Sequence, residues 1–313
     1  MGNRFKDKGA VVTGAGRGIG RAVALTLAAE GAKVVVVDPG VARGGEGSDL
    51  APADGVVAEI KKAGGQAVAS YSSVTDFSAA EGIVKTCVET FGHVDILVNC
   101  AGILRERMVW NLSEEEWDSV IKVHLYGTFN CCRWAAGFMR QQRGGRIINF
   151  ASDAWRGFAG QANYCAAKGA IVSLTRAMAL ELGRYGVTCN ALSPVAGTRM
   201  TLDDAVIASF KKQFEAGFIT KEAYEVAMNL PGPEYVAPLV AYLATDEAAN
   251  INGKVFHVER GRVGIYSEPE EVRQVFNSGA VWKVEELIDL IPRTLLVGYV
   301  NPAPAEPPKE KTG

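Results

Sequence analysis

The stretch Gly9-Ala-Val-Val-Thr-Gly-Ala-Gly-Arg-Gly-Ile-Gly20 opens the chain with a short apolar run that passes into a glycine-rich loop. The apolar run, residues 9–13, predicts a buried strand, and residues 21–30 after the loop predict a helix. The next apolar run, residues 33–38, predicts a second strand that ends in an acid. A strand, a glycine-rich loop, a helix and a second strand form the unit from which doubly wound parallel sheets are built. We therefore predict an α/β fold.

The glycine-rich loop predicts a dinucleotide site. Glycines let the backbone turn tightly and approach a pyrophosphate, whose charge lies at the N-terminus of the following helix. We expect Gly14, Arg17, Gly18 and Ile19 to contact the cofactor. Asp38 ends the second strand, where a carboxylate accepts hydrogen bonds from the ribose of NAD and repels the 2′-phosphate of NADP. We predict NAD, although Arg17 could meet a 2′-phosphate and Asp38 could simply form a turn.

The rest of the chain alternates strands with helices, as a parallel sheet requires. Further strands are predicted at 66–71, 93–99, 145–152, 187–192 and 254–258. Helices are predicted at 56–63, 79–91, 162–182 and 233–244, with a long helix from a capping box at Ser113 to about Arg140. A glycine-rich insertion occupies residues 40–54. We expect one doubly wound domain of about seven strands, flanked by helices, over residues 1–258.

The carboxyl ends of parallel strands meet at one edge of the sheet, where ligands bind in such folds. We expect Ser73 and Val74 to close over the adenine at this edge. Asn99, Ala101 and Gly102 form a tight turn after the next strand and are further candidates for cofactor contact.

A second stretch, Gly160-Gln-Ala-Asn-Tyr-Cys-Ala-Ala-Lys168, carries candidate chemistry. On a helix, Tyr164 and Lys168 lie one turn apart on the same face. An ammonium there favours phenolate and lowers the pKa of the tyrosine, which could then exchange a proton with an alcohol or carbonyl. Ser152, twelve residues before the tyrosine, could hold the reacting oxygen. The pair alone is weak evidence, because this spacing also occurs on ordinary surface helices.

Taken together, these motifs resemble the short-chain dehydrogenase/reductase superfamily over about residues 6–258. The matching motifs are Thr13-Gly-x-x-x-Gly18-x-Gly20, Asn99-Cys-Ala-Gly102, Ser152, Tyr164-x-x-x-Lys168 and Pro194-Val-Ala-Gly197. The resemblance implies a Rossmann-type sheet and a nicotinamide cofactor. It implies that Tyr164 is the general acid/base, that Lys168 grips the nicotinamide ribose and that Ser152 orients the substrate oxygen. The cofactor contacts that it adds are Tyr164, Lys168, Pro194, Val195, Gly197 and Thr198.

Four stretches more closely resemble the (3R)-hydroxyacyl-CoA dehydrogenase domain of peroxisomal multifunctional enzymes, also called a type of 17β-hydroxysteroid dehydrogenase, and its bacterial stand-alone relatives. They are Ala101-Gly-Ile-Leu-Arg-Glu-Arg107, Val123-His-Leu-Tyr-Gly127, Gly160-Gln-Ala-Asn-Tyr164 and Pro233-Glu-Tyr-Val-Ala-Pro-Leu239. This resemblance implies an NAD-dependent oxidoreductase that interconverts a secondary alcohol and a ketone. The implied partner is a bulky apolar small molecule, such as a 3-hydroxyacyl-CoA or a hydroxysteroid.

Two positions depart from the superfamily pattern. His124 stands where most members place a catalytic asparagine, and a neutral histidine can still donate and accept; a half-buried structural histidine is the alternative. The gap from Ser152 to Tyr164 is twelve residues instead of thirteen, and Ala151 occupies the thirteenth place. We expect a residue to be missing from the 153–159 loop, so that Ser152 stays functional. A non-catalytic dinucleotide-binding sensor or scaffold, or an NADPH-dependent carbonyl reductase, remains open.

The composition argues against other function classes. With 48% apolar and 22% charged residues and a net charge of −2, the chain resembles a soluble globular protein without an electrostatic case for nucleic acid or membrane. Neither a signal-peptide core nor a run of transmembrane length occurs, which predicts a cytoplasmic protein. Six cysteines within apolar segments predict a reduced set, and three histidines without zinc spacing predict no metal. We expect a homo-oligomer, either a dimer or a tetramer.

The C-terminal region lies outside the sheet pattern. Helical periodicity at 269–276 and 283–291 predicts a small helical appendage over 259–300, which packs on the body or on a neighbouring subunit. The proline-rich residues 301–313 predict a disordered tail. Apolar side chains after Gly197 could form a lid over an apolar substrate or could be helix core: Met200, Phe210, Phe214, Phe218 and Met228.

Overall fold

The computed structural model describes residues 2–198, 204–215, 217, 220–279 and 281–304. Its strands are β1 (Gly9–Thr13), β2 (Lys33–Val37), β3 (Gln66–Ser70), β4 (Ile96–Asn99), β5 (Gly145–Phe150), β6 (Val187–Pro194), β7 (Val255–Glu259) and β8 (Arg262–Ile265). In the described residues they form one sheet in the order β3-β2-β1-β4-β5-β6-β7-β8. All pairs are parallel except β7 with β8. The order reverses between β1 and β4, which opens a crevice at the carboxyl edge.

Helices cover both faces of this sheet. They are α1 (Gly18–Ala29), α2 (Ala51–Lys62), α3 (Phe77–Phe91), α4 (Glu114–Ile121), α5 (Gly127–Gln142), α6 (Ala162–Leu182), α7 (Asp204–Glu215), α8 (Lys221–Met228), α9 (Ala237–Leu243) and, beyond the sheet, α10 (Val284–Arg293). Ser113 and Glu116 form the predicted capping box at the start of α4. The predicted long helix is α4 and α5 joined by a π-helical turn, Lys122–Tyr126. The predicted doubly wound α/β fold is confirmed.

The core has two halves because successive strand residues point to opposite faces of the sheet. Val12 of β1 packs in a cluster with Leu27 of α1 and Val240 of α9. Its neighbour Val11 packs on the other face, in a cluster with Ile83 of α3 and Met139 of α5. Apolar strands buried on both faces are the pattern expected of a parallel sheet between helices.

The sheet has one strand more than the predicted seven. The chain turns at Arg260, whose φ is 48°, and β8 pairs antiparallel with β7, with Phe256 opposite Ile265. A four-residue strand is too short to give a clear periodic signal, but its pairing covers the edge that β7 would otherwise expose. The first compact unit therefore runs to Tyr266, beyond the predicted boundary at 258.

Residues from Ser267 onward form a second unit. The helix predicted at 283–291 is confirmed as α10. The helix predicted at 269–276 is wrong, because that segment has no regular structure. Its apolar residues Val272 and Phe276 are 86% and 85% exposed, so no burial offsets the cost of nucleating a short helix. Residues 305–313 of the predicted tail lie outside the described residues.

A buried polar ladder joins β4, β5 and α6 below the carboxyl edge. Asn99 Nδ2 donates to Asn149 Oδ1 at 2.9 Å, and Asn149 Nδ2 donates to Thr175 Oγ1 at 3.0 Å. All three side chains are buried. Each amide thus satisfies the next, and the ladder depends on Asn149 at its centre.

Asn149→Ala should lower the free energy of unfolding by about 1–3 kcal/mol, because the Asn99 amide stays buried without its acceptor. Urea unfolding followed by circular dichroism measures this change. Asn250→Ala, at an exposed turn position, is the matched control and should leave the free energy of unfolding close to that of the unmodified protein. An Asn149→Ala variant as stable as the unmodified protein would contradict the role of the ladder.

Candidate active site

Ser152, Tyr164 and Lys168 lie together at the carboxyl edge of the sheet. Ser152 follows β5 and caps a single turn, its Oγ accepting a hydrogen bond from the Ala154 N–H at 3.3 Å. Tyr164 lies in the first turn of α6, and the Ser152 side chain acts on its phenol, lowering the pKa that burial raises. The Lys168 Nζ lies 5.4 Å from the centre of the Tyr164 ring and donates to the Phe150 carbonyl. The twelve-residue gap therefore still brings Ser152 to the tyrosine.

The loop that positions Ser152 is held by its neighbour Asp153. The Asp153 carboxylate accepts hydrogen bonds from the hydroxyls of Ser193 and Tyr266. Its other oxygen pairs with Arg156 at 3.3 Å. The shortened loop is thus fastened to β6 and to the end of the first unit, which fixes the position of Ser152 beside α6.

Burial sets the charge states of the two ionisable residues. Burial raises the pKa of Tyr164 to about 12, and the hydrogen bond with Ser152 offsets part of this rise. Burial likewise lowers the pKa of Lys168 to about 8. The predicted lowering of the tyrosine pKa by Lys168 is wrong for the protein alone, because the lost hydration of a phenolate outweighs an ammonium at this distance. At neutral pH Tyr164 is therefore a neutral phenol that can donate a proton.

His124 is fully enclosed beside Tyr164, in the π-helical turn between α4 and α5. The two rings meet edge to face, with centres 5.1 Å apart. His124 Nε2 lies 2.7 Å from the Ile103 carbonyl oxygen, to which a neutral ring can donate. Burial and, after it, the charge of Lys168 hold the pKa of His124 well below its usual value. The imidazole is therefore neutral, and its Nδ1 has no partner among the described residues.

The glycine-rich loop approaches two other segments at the carboxyl edge closely, as the turn that binds a pyrophosphate does. Gly14 has a φ of 64°, and a Cβ there would lie 2.8 Å from the Ala101 Cα, so only glycine fits. Arg17 precedes the first residue of α1, Gly18, whose Cα faces the Thr198 side chain. The backbone amides at the start of α1 thus lie between the turn after β4 and the segment after β6. These residues fit a dinucleotide phosphate.

Asp38 follows β2 and lies beside the glycine-rich loop. Its Oδ2 accepts a hydrogen bond from the Gly16 N–H at 2.8 Å, and its Oδ1 accepts one from the Gly40 N–H at 2.7 Å. Val74 is buried, and its carbonyl accepts from Asn130 Nδ2 at 2.9 Å. Backbone donors on both sides therefore fix the Asp38 carboxylate next to the glycine-rich loop.

The remaining predicted cofactor residues differ in what they offer. The side chain of Asn99 belongs to the buried ladder, which leaves its backbone at the edge. Val195 N–H donates to the Val258 carbonyl at 2.9 Å, and Gly197 N–H donates to the Pro231 carbonyl at 2.6 Å. The Ile19 side chain packs against the core. The Ser73 hydroxyl is hydrogen-bonded to the Thr75 hydroxyl. The other three residues lie at the carboxyl edge of the sheet: Ala101, Gly102 and Pro194.

Three residues shape this site although the motifs that contain them gave them no role. Thr13 Oγ1 accepts hydrogen bonds from the backbone N–H groups of Cys100 and Ala101, each at 3.1 Å, and so holds the turn after β4. Asn163 Nδ2 donates to the carbonyls of Arg105 and Glu116 and anchors the start of α6. In the sequence, only the position of Thr13 at the end of β1 pointed to such a role. A single asparagine such as Asn163 gives no indication of its partners.

Glu106 is the third such residue, and it joins the glycine-rich insertion to the start of α6. Its Oε2 accepts from Arg43 at 2.7 Å, and its Oε1 accepts from Gln161, which precedes α6, at 2.7 Å. Loop carboxylates are common on protein surfaces, and their partners depend on the tertiary fold. Glu106 could therefore not be singled out from the sequence.

The predicted lid is described only in part. Met200 and Phe218 lie outside the described residues, as does the side chain of Phe210. Phe214 of α7 stacks on Tyr224 of α8, with ring centres 5.0 Å apart, as expected of helix packing. Met228 is half-buried at the end of α8.

Metal and disulfide chemistry have no visible basis in the part of the chain that the structure describes. No group of three or more histidine, cysteine, aspartate or glutamate side chains there could hold a metal ion. All six cysteines are free. No helix among the described residues has both the length and the apolar character needed to cross a membrane.

Proteins of a known class are similar to this chain in sequence. A family model described as short chain dehydrogenase matches residues 8–204. Hydroxyacyl-CoA dehydrogenase ChsB1 of Mycobacterium tuberculosis is 41% identical over 292 residues, which cover 90% of this chain and 87% of that protein. Peroxisomal multifunctional enzyme type 2 of Mus musculus is 42% identical over 266 residues, 83% of this chain. The match covers only 33% of the mouse enzyme.

A solved structure with a similar sequence has the same fold. The crystal structure of a short chain dehydrogenase from Mycobacterium avium superimposes with a TM-score of 0.78 at 42% sequence identity. The superposition covers 96% of this chain and 97% of that one. Family model, relatives and fold agree, and they confirm the resemblance that the motifs carried. This chain belongs to the short-chain dehydrogenase/reductase family of oxidoreductases, whose Rossmann-type fold implies a nicotinamide dinucleotide cofactor.

Proposed function

We propose that this chain is an NAD-dependent dehydrogenase that interconverts a secondary alcohol and a ketone on a bulky apolar substrate. The observation that carries the proposal is the position of Lys168, whose Nζ lies 5.4 Å from the centre of the Tyr164 ring and donates to the Phe150 carbonyl, two residues before Ser152. A proton-transfer group and a hydroxyl that can hold the same substrate oxygen thus meet at the edge where the glycine-rich loop lies.

The chain's own residues would hold the cofactor and move one proton. A bound nicotinamide supplies the hydride acceptor or donor and, when oxidised, a positive charge that favours phenolate. The amides at Gly14 and Gly18 would hold the pyrophosphate, Asp38 the adenosine ribose and Lys168 the nicotinamide ribose. The Tyr164 hydroxyl donates its proton to the carbonyl oxygen in reduction and, as phenolate, accepts the hydroxyl proton in oxidation. The Ser152 hydroxyl holds that oxygen in both directions.

His124 supports proton transfer as a neutral ring. Its Nε2 faces both the N–H and the carbonyl of Ile103, and when it donates to the nearer carbonyl, Nδ1 is the acceptor. The neutral imidazole next to Lys168 adds no second cation to the enclosed site. We propose that it orients Tyr164 through their edge-to-face contact and leaves Nδ1 to accept from a water.

The preference for NAD rests on Asp38. Its two backbone hydrogen bonds hold the carboxylate at the expected ribose position. Arg43, a basic residue of the insertion, is paired with Glu106. Both observations favour a cofactor with free ribose hydroxyls over one with a 2′-phosphate.

The apolar substrate class rests on side chains near Tyr164. The Arg107 N–H donates to the Gly160 carbonyl at 2.8 Å, so the segment after β4 lies along the start of α6. Met108, Val109, Trp110 and Phe158 of these two segments are exposed. Exposed apolar side chains at such a place favour a fatty or alicyclic substrate. With hydroxyacyl-CoA dehydrogenases among the relatives, we propose a 3-hydroxyacyl-CoA ahead of a hydroxysteroid.

The proposal is tested with purified protein, NAD⁺ or NADP⁺, and a panel of 3-hydroxyacyl-CoAs, hydroxysteroids and cyclic alcohols. The absorbance of reduced nicotinamide reports turnover. Nucleotide binding without turnover on any panel member would favour the non-catalytic sensor. Size-exclusion chromatography of the same sample tests the proposed dimer or tetramer.

Tyr164→Phe should lower kcat by about 10²–10⁴-fold, because the ring remains while the exchangeable proton is lost. Cofactor affinity, measured by fluorescence titration, should change little. Tyr185→Phe, which removes a hydroxyl in the turn before β6, is the matched control and should keep kcat. A Tyr164→Phe variant with most of its activity would refute the assignment of the acid/base.

Ser152→Ala should lower kcat by about 10²–10³-fold, the usual effect of removing one positioned donor. The Ser152 hydrogen bond lowers the pKa of Tyr164, so its loss should raise that pKa. The acidic limb of the pH–rate profile for alcohol oxidation should therefore move to higher pH. Ser152→Thr keeps a hydroxyl and should restore part of the rate. An unchanged rate and profile in Ser152→Ala would mean that another group orients the substrate.

The unmodified protein should prefer NAD⁺ over NADP⁺ by about a hundredfold or more in kcat/KM, because like charges repel at the ribose. Asp38→Asn keeps the shape of the side chain and should narrow this gap at least about tenfold. Asp54→Asn, an exposed position of α2, is the control and should keep the gap. Equal use of both cofactors by the unmodified protein would contradict the assignment of Asp38.

A further inference from the structure

We infer that Asp49 is a second determinant of cofactor choice, which keeps Arg17 from pairing with a 2′-phosphate. The inference rests on the proposed function, since it takes Asp38 to mark the adenosine ribose. It concerns the charge balance around Asp38 and leaves the catalytic residues aside.

Arg17 lies next to the proposed ribose position. Its neighbour Gly16 donates to the Asp38 carboxylate at 2.8 Å, and Arg17 itself is the residue that precedes α1. It is the only basic residue between positions 9 and 20. Arginine is the side chain that best matches a phosphate, because its planar fork can donate two parallel hydrogen bonds. Arg17 is therefore where NADP recognition would be expected.

The Asp49 carboxylate forms an ion pair with the Arg17 side chain. Arg17 Nη2 lies 3.0 Å from Asp49 Oδ2. The other carboxylate oxygen, Oδ1, accepts a hydrogen bond from the Ala51 N–H at 3.1 Å, at the start of α2. A carboxylate at a helix N-terminus is stabilised by the free amides there. Asp49 is thus held in place from one side while it pairs with Arg17 from the other.

The backbone of the insertion, residues 40–54, brings Asp49 back beside the second strand and Arg17. Gly40 has a φ of 71°, and a Cβ there would overlap the Asp49 backbone, so only glycine permits the approach. Ser48 Oγ donates to the Pro39 carbonyl at 3.1 Å and closes the loop beside Gly40. Gly40 also donates to Asp38, so the two carboxylates lie on neighbouring parts of one closed loop.

The Arg17–Asp49 ion pair changes the local charge and has little effect on the stability of the fold. The side chains of Arg17 and Asp49 are 40% and 52% exposed, and ion pairs of that exposure contribute little to folding. Asp38, Asp49 and Arg17 together carry one net negative charge, which repels an incoming 2′-phosphate. Without the Asp49 charge, the net charge of Asp38 and Arg17 is zero, and the Arg17 guanidinium can turn toward the 2′-phosphate.

The test uses two cofactor fragments, 5′-AMP and 2′,5′-ADP, which differ by the 2′-phosphate alone. Isothermal titration calorimetry gives their affinities without any turnover. Asp49→Asn should tighten 2′,5′-ADP binding by about tenfold, because the released guanidinium can donate a charge-assisted hydrogen bond to the 2′-phosphate. The affinity for 5′-AMP should stay within about twofold of that of the unmodified protein.

Two further variants separate this role from a general effect of the insertion. Glu46→Gln removes a carboxylate of the same loop that pairs with Arg105 at 2.6 Å, and it should leave the ratio of the two affinities unchanged. The double variant Asp49→Asn with Arg17→Gln should lose the tighter binding of 2′,5′-ADP. Tighter binding that survives the loss of Arg17, or an equal effect in Glu46→Gln, overturns the inference.

The outcomes also separate the inference from the function on which it rests. An unmodified protein that binds 2′,5′-ADP at least as tightly as 5′-AMP overturns both the NAD assignment and the role of Asp49. A preference for 5′-AMP that Asp49→Asn leaves unchanged overturns the role of Asp49 alone.

Discussion

The register of the parallel strands is the constraint on which the site depends. Across the sheet, one level contains residues of seven strands: Ser70, Val37, Thr13, Asn99, Asn149, Ala191 and Val255. The chain leaves the sheet within a few residues of this level, so Gly14, Asp38 and Ser152 emerge at the same edge. The hydrogen bonds that Thr13 Oγ1 accepts from the turn after β4 and the Asn99–Asn149–Thr175 ladder fix the level. A slip of one residue in any of these strands would turn the site residues to the wrong face.

Burying Tyr164 and Lys168 side by side costs the fold free energy. Burial opposes the charged forms of both Tyr164 and Lys168, so each pKa moves in the direction of the neutral group. Lys168 retains a backbone carbonyl as acceptor, and the neutral ring of His124 adds no further cation. A buried lysine of this kind lowers stability, and such compromises are common where residues serve chemistry. The same desolvation strengthens each hydrogen bond that the site makes to a reacting oxygen.

The sequence predicted those features that depend on local pattern. Apolar periodicity predicted α6 with its observed bounds, and the spacing of Tyr164, Lys168 and Ser152 predicted a group that the fold does bring together. It did not predict β8, whose four residues carry no clear period, nor the lack of a helix at 269–276, where burial decides. The pKa of Tyr164 could not be predicted because it depends on depth of burial. The partners of Arg17 and Glu106 could not be predicted either, because both pairs join segments distant in sequence.

One short segment after β4 connects the surroundings of Tyr164 with the glycine-rich insertion. Ile103 contacts His124 through both its backbone groups, and His124 faces Tyr164. Three residues on, Glu106 binds Arg43 of the insertion and Gln161 before α6, and after burial its charge is among those that raise the pKa of Tyr164. The insertion that closes beside Asp38 therefore shares its anchor, Glu106, with the start of α6, on which Tyr164 lies. Because the anchor is common to both, the positions of Asp38 and of Tyr164, to which we assign the ribose contact and the proton transfer, depend on the same few hydrogen bonds.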